Sequence, residues 1–227
     1  MEQSAYTDVT AACGKSSVTM MDADNDASGP ALCYIRNDLP APFSGQVTVE
    51  ALNLLGGKAT TLSSMKVSLP AGGGAIGFFC ADKSTSVSAG APNCTTFADL
   101  FKSVPDCSHG TQDCVLNVTV ADDAKGGKAI SRNILPLALP SALRLPTANI
   151  SHTVQETAGN VEVRLTSSAT AMYVWLSTLE QGRFEDNAFV LLPGVEKTVR
   201  FMPFAAATTS AKALETSLRV EHLAMYL

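Results

Sequence analysis

The 227-residue sequence predicts an all-β protein of two β-sandwiches in series, and three observations carry that expectation. Short segments rich in Val, Ile, Thr and Phe recur along the chain, each bounded by Gly, Pro, Asn or Asp. Sustained helical periodicity is missing before residue 140. Pro136, Pro140 and Pro146 then crowd one stretch; proline removes a ladder donor and stiffens the backbone, so Leu139 to Leu145 is the expected linker between domains 5–140 and 146–227.

In the first domain, strands are expected at 5–13 and 31–38, on either side of an acidic loop containing Asp22, Asp24 and Asp26. Further strands are expected at 44–54, 58–69, 74–80, 113–121 and 127–138, with Gly72-Gly73-Gly74 as a hairpin turn. Residues 81–112 are rich in Ser, Thr, Ala, Gly and Pro and read as a long insertion. Within it, Phe97, Leu100 and Phe101 recur at helical spacing and predict one short helix over 95–104, capped by Thr95 or Thr96. The second domain should hold strands near 148–155, 160–167, 171–178, 188–192, 195–201 and 215–225, with the Ala/Thr run 205–210 as a loop.

A composition of 46% hydrophobic and 16% charged residues is that of a folded domain pair rather than a disordered chain. Lys and Arg are scattered and the net charge is only −5, which argues against a nucleic-acid partner. No apolar run reaches the roughly 20 residues of a membrane helix, so no membrane partner is expected. Met1-Glu2-Gln3-Ser4 lacks the basic and apolar regions of a signal peptide, whereas sequons at Asn93, Asn117 and Asn149 and the confinement of all six cysteines to the first domain point to an oxidising compartment. A segment of a longer lysosomal or secreted protein satisfies both sets of signs. The expected disulfides are Cys13 with Cys33 across the acidic loop, Cys107 with Cys114 around a short polar loop, and Cys80 with Cys94, chosen among the many pairings that six cysteines allow.

The most informative stretch runs Arg183-Phe184-Glu185-Asp186-Asn187-Ala188-Phe189-Val190-Leu191-Leu192-Pro193-Gly194, followed by the alternating Val199 and Phe201. Its residue types predict strand, turn, strand at the edge of a sandwich. The run resembles the C-terminal immunoglobulin-like domain of β-mannosidases, members of glycoside hydrolase family two, in which a Phe-x-Asp-Asn-x-Phe-x-Leu-Leu-Pro-Gly pattern occurs. The upstream Ala171-Met172-Tyr173-Val174-Trp175-Leu176 and the downstream Ser217 to Leu223 fit the same domain. Asn37-Asp38-Leu39-Pro40, Ser44 to Glu50 and Ile130-Ser131-Arg132-Asn133 resemble the sandwich that precedes it. The resemblance implies two immunoglobulin-like sandwiches and a parent enzyme that removes terminal non-reducing β-D-mannose, with the parent's catalytic barrel as intramolecular partner.

Retaining glycoside hydrolysis needs two carboxylates about 5–5.5 Å apart. In the family both are glutamates on a barrel of roughly 250 residues, the acid/base following an asparagine. None of the nine glutamates here follows an asparagine, so no catalytic residue carries over and the chain alone is expected to be inert toward β-mannosides. Glu185 and Asp186 are adjacent carboxylates in a turn, with Asp186 expected to accept backbone amides. The acidic loop lacks the glycine and glutamate of a helix-loop-helix calcium site, and His109, His152 and His222 share no ligand spacing, so neither metal nor cofactor is expected. Tyr173, Trp175 and Phe184 offer a sugar-stacking platform, but the stronger expectation is a core tryptophan with Phe184 and Phe189 packed on it. The alternative to a hydrolase scaffold is a free-standing secreted module that binds an oligosaccharide or a partner protein.

Overall fold

The computed structural model describes residues 9–14, 32–78, 97–157, 160–204 and 209–227. They fall into two compact units: those up to Asn53 with those from Lys58 to Leu143, and those from Arg144 onward with the short turn Leu54–Gly57.

The first unit is a two-sheet sandwich. One sheet orders β1 (Val9–Gly14), β2 (Leu32–Asn37) and β5 (Gly74–Phe78), the other β4 (Ala59–Leu69), β3 (Phe43–Asn53), β6 (Cys114–Asp122) and β7 (Lys128–Leu135), all antiparallel. Alternation decides which side faces in: Phe43, Val47, Val49 and Ala51 of β3 are buried while Ser44 and Gln46 are exposed. Val9, Ala11 and Ile35 from the facing sheet complete the core with Val118 and Val120. Gly72 and Gly73 have φ of +70° and +96°, which a side chain would resist, and their amides donate to Leu39 O at 2.8 Å and Asn37 O at 2.7 Å. The Asn37 side chain, fully buried, donates to Ala41 O and Pro70 O at 2.9 Å each and accepts from Leu39 N at 3.1 Å. One carboxamide thus fixes both the β2–β3 and the β4–β5 connections.

Cys13 and Cys33 stand directly opposite each other in the β1–β2 register and are joined by a disulfide; a second disulfide links Cys107 to Cys114. Cys80, Cys94, Asn93 and the acidic loop around Asp24 lie outside the described residues. The sequence helix appears as α1 (Phe97–Lys102), with Phe101 and Val104 sealing one end of the core. Inside the Cys107–Cys114 loop, Asp113 is 1% exposed and accepts from His109 N and His109 Nδ1 at 2.8 Å and from Ser108 Oγ at 3.1 Å. Burial alone would push the Asp113 carboxyl up, but these donors outweigh it and hold the group below its ordinary value.

The second unit pairs a sheet of β12 (Phe189–Leu191), β10 (Ala171–Ser177) and β14 (Arg219–Glu221) with one of β11 (Gly182–Phe184), β13 (Lys197–Pro203), β9 (Asn160–Ser167) and β8 (Ile150–Thr157). Val163, Leu165, Val174, Leu176, Phe189, Val199 and Phe201 form its core. Phe184 is half-buried and meets Phe201 edge to face at 5.3 Å. Gly182 sits so close to the Phe201 ring and Met202 O that a Cβ there would collide with both. The expected strand 215–225 is corrected: residues Ala211–Ser217 form α2, and only Arg219–Glu221 is strand. Ser210 caps α2 by accepting from Ala213 N at 3.2 Å, the Ala-Lys-Ala-Leu-Glu run favours helix, and Leu214 is fully buried.

The turn of the Phe184–Gly194 motif divides its work differently from expectation. Among the described residues Asp186 accepts no backbone amide; it pairs with Lys197 Nζ at 2.7 Å, and that ammonium lies 4.7 Å from the Phe189 ring centroid. Asn187 does the backbone work, accepting from Leu176 N at 2.7 Å and donating to Leu176 O at 2.9 Å. Its carboxamide occupies the place a neighbouring strand's peptide would take beside β10. Ala188 follows with φ of +57°, and Phe189 drops into the core at 1% exposure.

Three substitutions should therefore rank in order. Phe189→Ala is expected to cost about 3–5 kcal/mol, Asn187→Ala about 1–3 kcal/mol because two backbone groups of Leu176 lose their partner, and Asp186→Ala about 1 kcal/mol or less for a partly exposed ion pair. Urea unfolding of the full chain, followed through the emission of the single tryptophan in the second unit, reads all three. A larger effect at Asp186 than at Asn187 would refute the assignment. Because the Asp113 carboxyl is held low, its contribution is present above the ordinary carboxylate pKa of about 4 and is lost as pH falls through the lower folded value. Asp113→Asn should flatten that acid limb of the stability profile, measured by urea midpoints across the same pH window.

Candidate functional site

The carboxylates of the motif are each committed to a separate cation. Glu185 Oε1 meets Arg200 Nη2 at 3.4 Å, and Asp186 meets Lys197. Neither faces a second carboxylate across a gap of about 5–5.5 Å, the arrangement retaining glycoside hydrolysis requires. Their roles are those of a charged turn.

Ser108, His109 and Asp113 are the residue types of a nucleophilic triad, and they do meet. Their geometry is wrong for it: Ser108 Oγ at 3.0 Å and Asp113 Oδ2 at 2.8 Å both approach His109 Nδ1. A relay needs the hydroxyl on one ring nitrogen and the carboxylate on the other. The cluster closes the disulfide loop instead. His152 is exposed on β8; His222, just past β14, is buried, and its Nδ1 lacks a partner among the described residues, as does Thr170 Oγ1. Among the described residues no three His, Cys, Asp or Glu side chains converge to hold a metal ion, and no helix is long and apolar enough to cross a membrane.

Asn117, an expected glycosylation site, is corrected. It is 4% exposed on β6, its amide donating to Glu50 Oε2 at 2.6 Å and accepting from Arg132 Nε at 2.6 Å. Burial lowers the Arg132 guanidinium from its ordinary value, and the charge of Glu50 opposes that shift. The carboxamide therefore couples a half-buried acid and base across three adjacent strands and has no room for a glycan. Asn149 differs: its backbone is pinned to Ser168, with N donating to Ser168 Oγ at 3.0 Å, while the residue itself is exposed at the start of β8.

The aromatic residues give the clearest surface feature, and it overturns the core-tryptophan expectation. Val174 and Leu176 are buried at 0% and 2%, so Trp175 between them points outward and is 50% exposed. Register sets it directly opposite Glu221 on β14. Glu221 Oε1 accepts from Tyr226 Oη at 2.7 Å and from Arg219 Nη2 at 3.1 Å. The hydrogen bond to Glu221 raises the Tyr226 phenol above its ordinary pKa. Phe184, packed on Phe201, takes no part, and Tyr173 is half-buried with φ of +52° at a register shift in β10. Arg219, Glu221 and Tyr226 escaped the sequence reading, although the Arg-Val-Glu alternation was the available signal.

Against known proteins, residues 145–225 match the family model of the mannosidase Ig-fold domain. The β-mannosidase of Capra hircus is 34% identical over 127 residues, 56% of this chain and 14% of the relative. Beta-mannosidase A of Aspergillus niger is 28% identical over 194 residues, 82% of this chain and 19% of the relative. The chain thus spans less than a fifth of the curated relatives it matches. Among solved structures, the β-D-mannosidase of Dictyoglomus thermophilum superposes with a TM-score of 0.57 at 17% identity, covering 95% of this chain and 21% of that one. An exo-chitosanase of Amycolatopsis orientalis gives 0.51 at 17% identity, covering 88% and 24%, which adds only the fold. Residues 145–225 carry the Ig-fold domain of the mannosidase family model, in a chain that aligns with part of β-mannosidases.

Proposed function

We propose that this chain is the non-catalytic C-terminal sandwich region of a β-mannosidase-like glycoside hydrolase, with domains 5–140 and 146–227 in series, whose complete enzyme removes terminal non-reducing β-D-mannose. The observation that carries the reading is the use made of the Phe184–Gly194 motif. Its asparagine replaces a strand, its phenylalanines fill or line the core, and its two carboxylates are neutralised by Lys197 and Arg200. A motif spent in this way builds a rigid support rather than a reaction centre, and the support's partner is the enzyme's own catalytic barrel. Two disulfides and the exposed sequon asparagine Asn149 favour a lysosomal or secreted glycoprotein.

Two measurements test this. The purified chain should release no aryl group from a p-nitrophenyl β-mannoside above the buffer rate; turnover that disappears when one of its own carboxylates is replaced would overturn the reading. Expressed through a secretory pathway, the folded chain should lose one glycan's mobility on Asn149→Gln and show no change on Asn117→Gln. A mobility shift from Asn117→Gln would mean that its buried network does not form.

A further inference from the structure

We propose that the outward face of β10 and β14 is a binding site for the pyranose ring of a neutral oligosaccharide, with Trp175 as the stacking platform and Glu221, Arg219 and Tyr226 as its hydrogen-bonding rim. The indole is 50% exposed although the strand residues on either side of it are buried, so the fold holds a flat apolar surface rigidly toward solvent. The residue directly opposite in the β-ladder is a carboxylate, which puts acceptors within one cross-strand spacing of the ring. That carboxylate is already oriented: Tyr226 Oη at 2.7 Å and Arg219 Nη2 at 3.1 Å both bond its Oε1, and no bond to its Oε2 is seen among the described residues. The phenol and guanidinium are themselves fixed by the same atom, so donors and acceptors are organised beside the indole before any ligand arrives.

This combination selects among occupants. The C–H face of a pyranose covers an indole while its hydroxyls bond carboxylate, guanidinium and phenol, and those charged groups keep contact with water. A second copy of the chain is the competing occupant, since Met225 and Leu227 beside Tyr226 are 58% and 60% exposed. It would have to desolvate Arg219, whose side chain is 74% exposed, together with its carboxylate partner, and such burial costs more than the pair returns. An anionic ligand is disfavoured by Glu221. The inference stands on this surface alone and does not rest on the hydrolase reading; the aryl-mannoside result leaves it untouched.

Trp175 is the single tryptophan of the chain, so its emission reports this site directly. Titration with β-1,4-mannobiose, cellobiose and chitobiose should give a saturable change in emission with at least one of them. Glu221→Gln and Tyr226→Phe should each raise the dissociation constant about three- to tenfold, the loss of one hydrogen bond. Trp175→Ala should abolish binding by calorimetry while its far-UV circular dichroism and urea midpoint stay those of the parent. Tyr226→Phe is near-isosteric at an exposed position and keeps the test readable if another variant fails to fold. Unchanged emission with all three sugars at millimolar concentration would overturn the proposal, as would an emission change that follows protein concentration alone and marks self-association.

Discussion

The second sandwich depends on a side-chain amide that imitates a peptide. Asn187 offers Leu176 both an acceptor and a donor, which is what a neighbouring strand would offer. This lets the chain leave the ladder at the turn and still satisfy β10, whose partner β12 is only three residues long. Once Leu176 is held, β10 keeps its register with β14, Val174 and Leu176 stay in the core, and Phe189 enters from the turn. The first sandwich solves the same problem with Asn37, whose buried carboxamide joins two connections with three bonds. A buried polar group of this kind is costly unless every bond is made. Here Asn37 uses both N–H groups and its oxygen, and the half-buried Asn187 accepts from Leu176 N and Ala188 N and donates to Leu176 O, so each fixes the conformation of its loop.

Charge is used in the same economical way. Lys197 serves three features at once: it neutralises Asp186, covers the Phe189 ring, and anchors the start of β13. The Glu50–Asn117–Arg132 chain crosses three strands of the first sandwich. Such half-buried systems add little net stability, because desolvation offsets attraction; their effect is on register, since a slip by one residue would leave an acid and a base buried without each other.

The all-β class and most strand positions were legible because alternation and turn chemistry are local signals. The helix α1 was legible for the same reason, from Phe97, Leu100 and Phe101. What failed was long-range. Nothing in Asp186-Asn187 says that the backbone work falls to Asn187 on Leu176, eleven residues back, rather than to Asp186 on amides within the turn. Asn117 looked like an open sequon because burial of a β6 side chain by Glu50 and Arg132 is decided by pairings across 67 and 15 residues. The helix α2 was hidden behind an Ala/Thr run whose Ser210 cap is a single residue. For Trp175 the information was present: Val174 and Leu176 already fill the inward positions, and only the habit of sandwiches to bury a tryptophan argued for the core against the period of the strand.

That last case shows how surface and scaffold are separated in this domain. The residues of the Phe184–Gly194 motif that looked chemical are consumed in the scaffold, the two carboxylates by Lys197 and Arg200 of β13 and the amide by β10, while the outward side of β10 is left with an indole. The period of two makes these roles inseparable, since whatever fixes Val174 and Leu176 inward must also present Trp175 outward. Loosening Asn187 therefore acts on the two faces together: the core loses the anchor of Leu176, and the exposed ring loses the register that sets it against Glu221. In this fold, stability of the sheet and geometry of its outer face are one constraint.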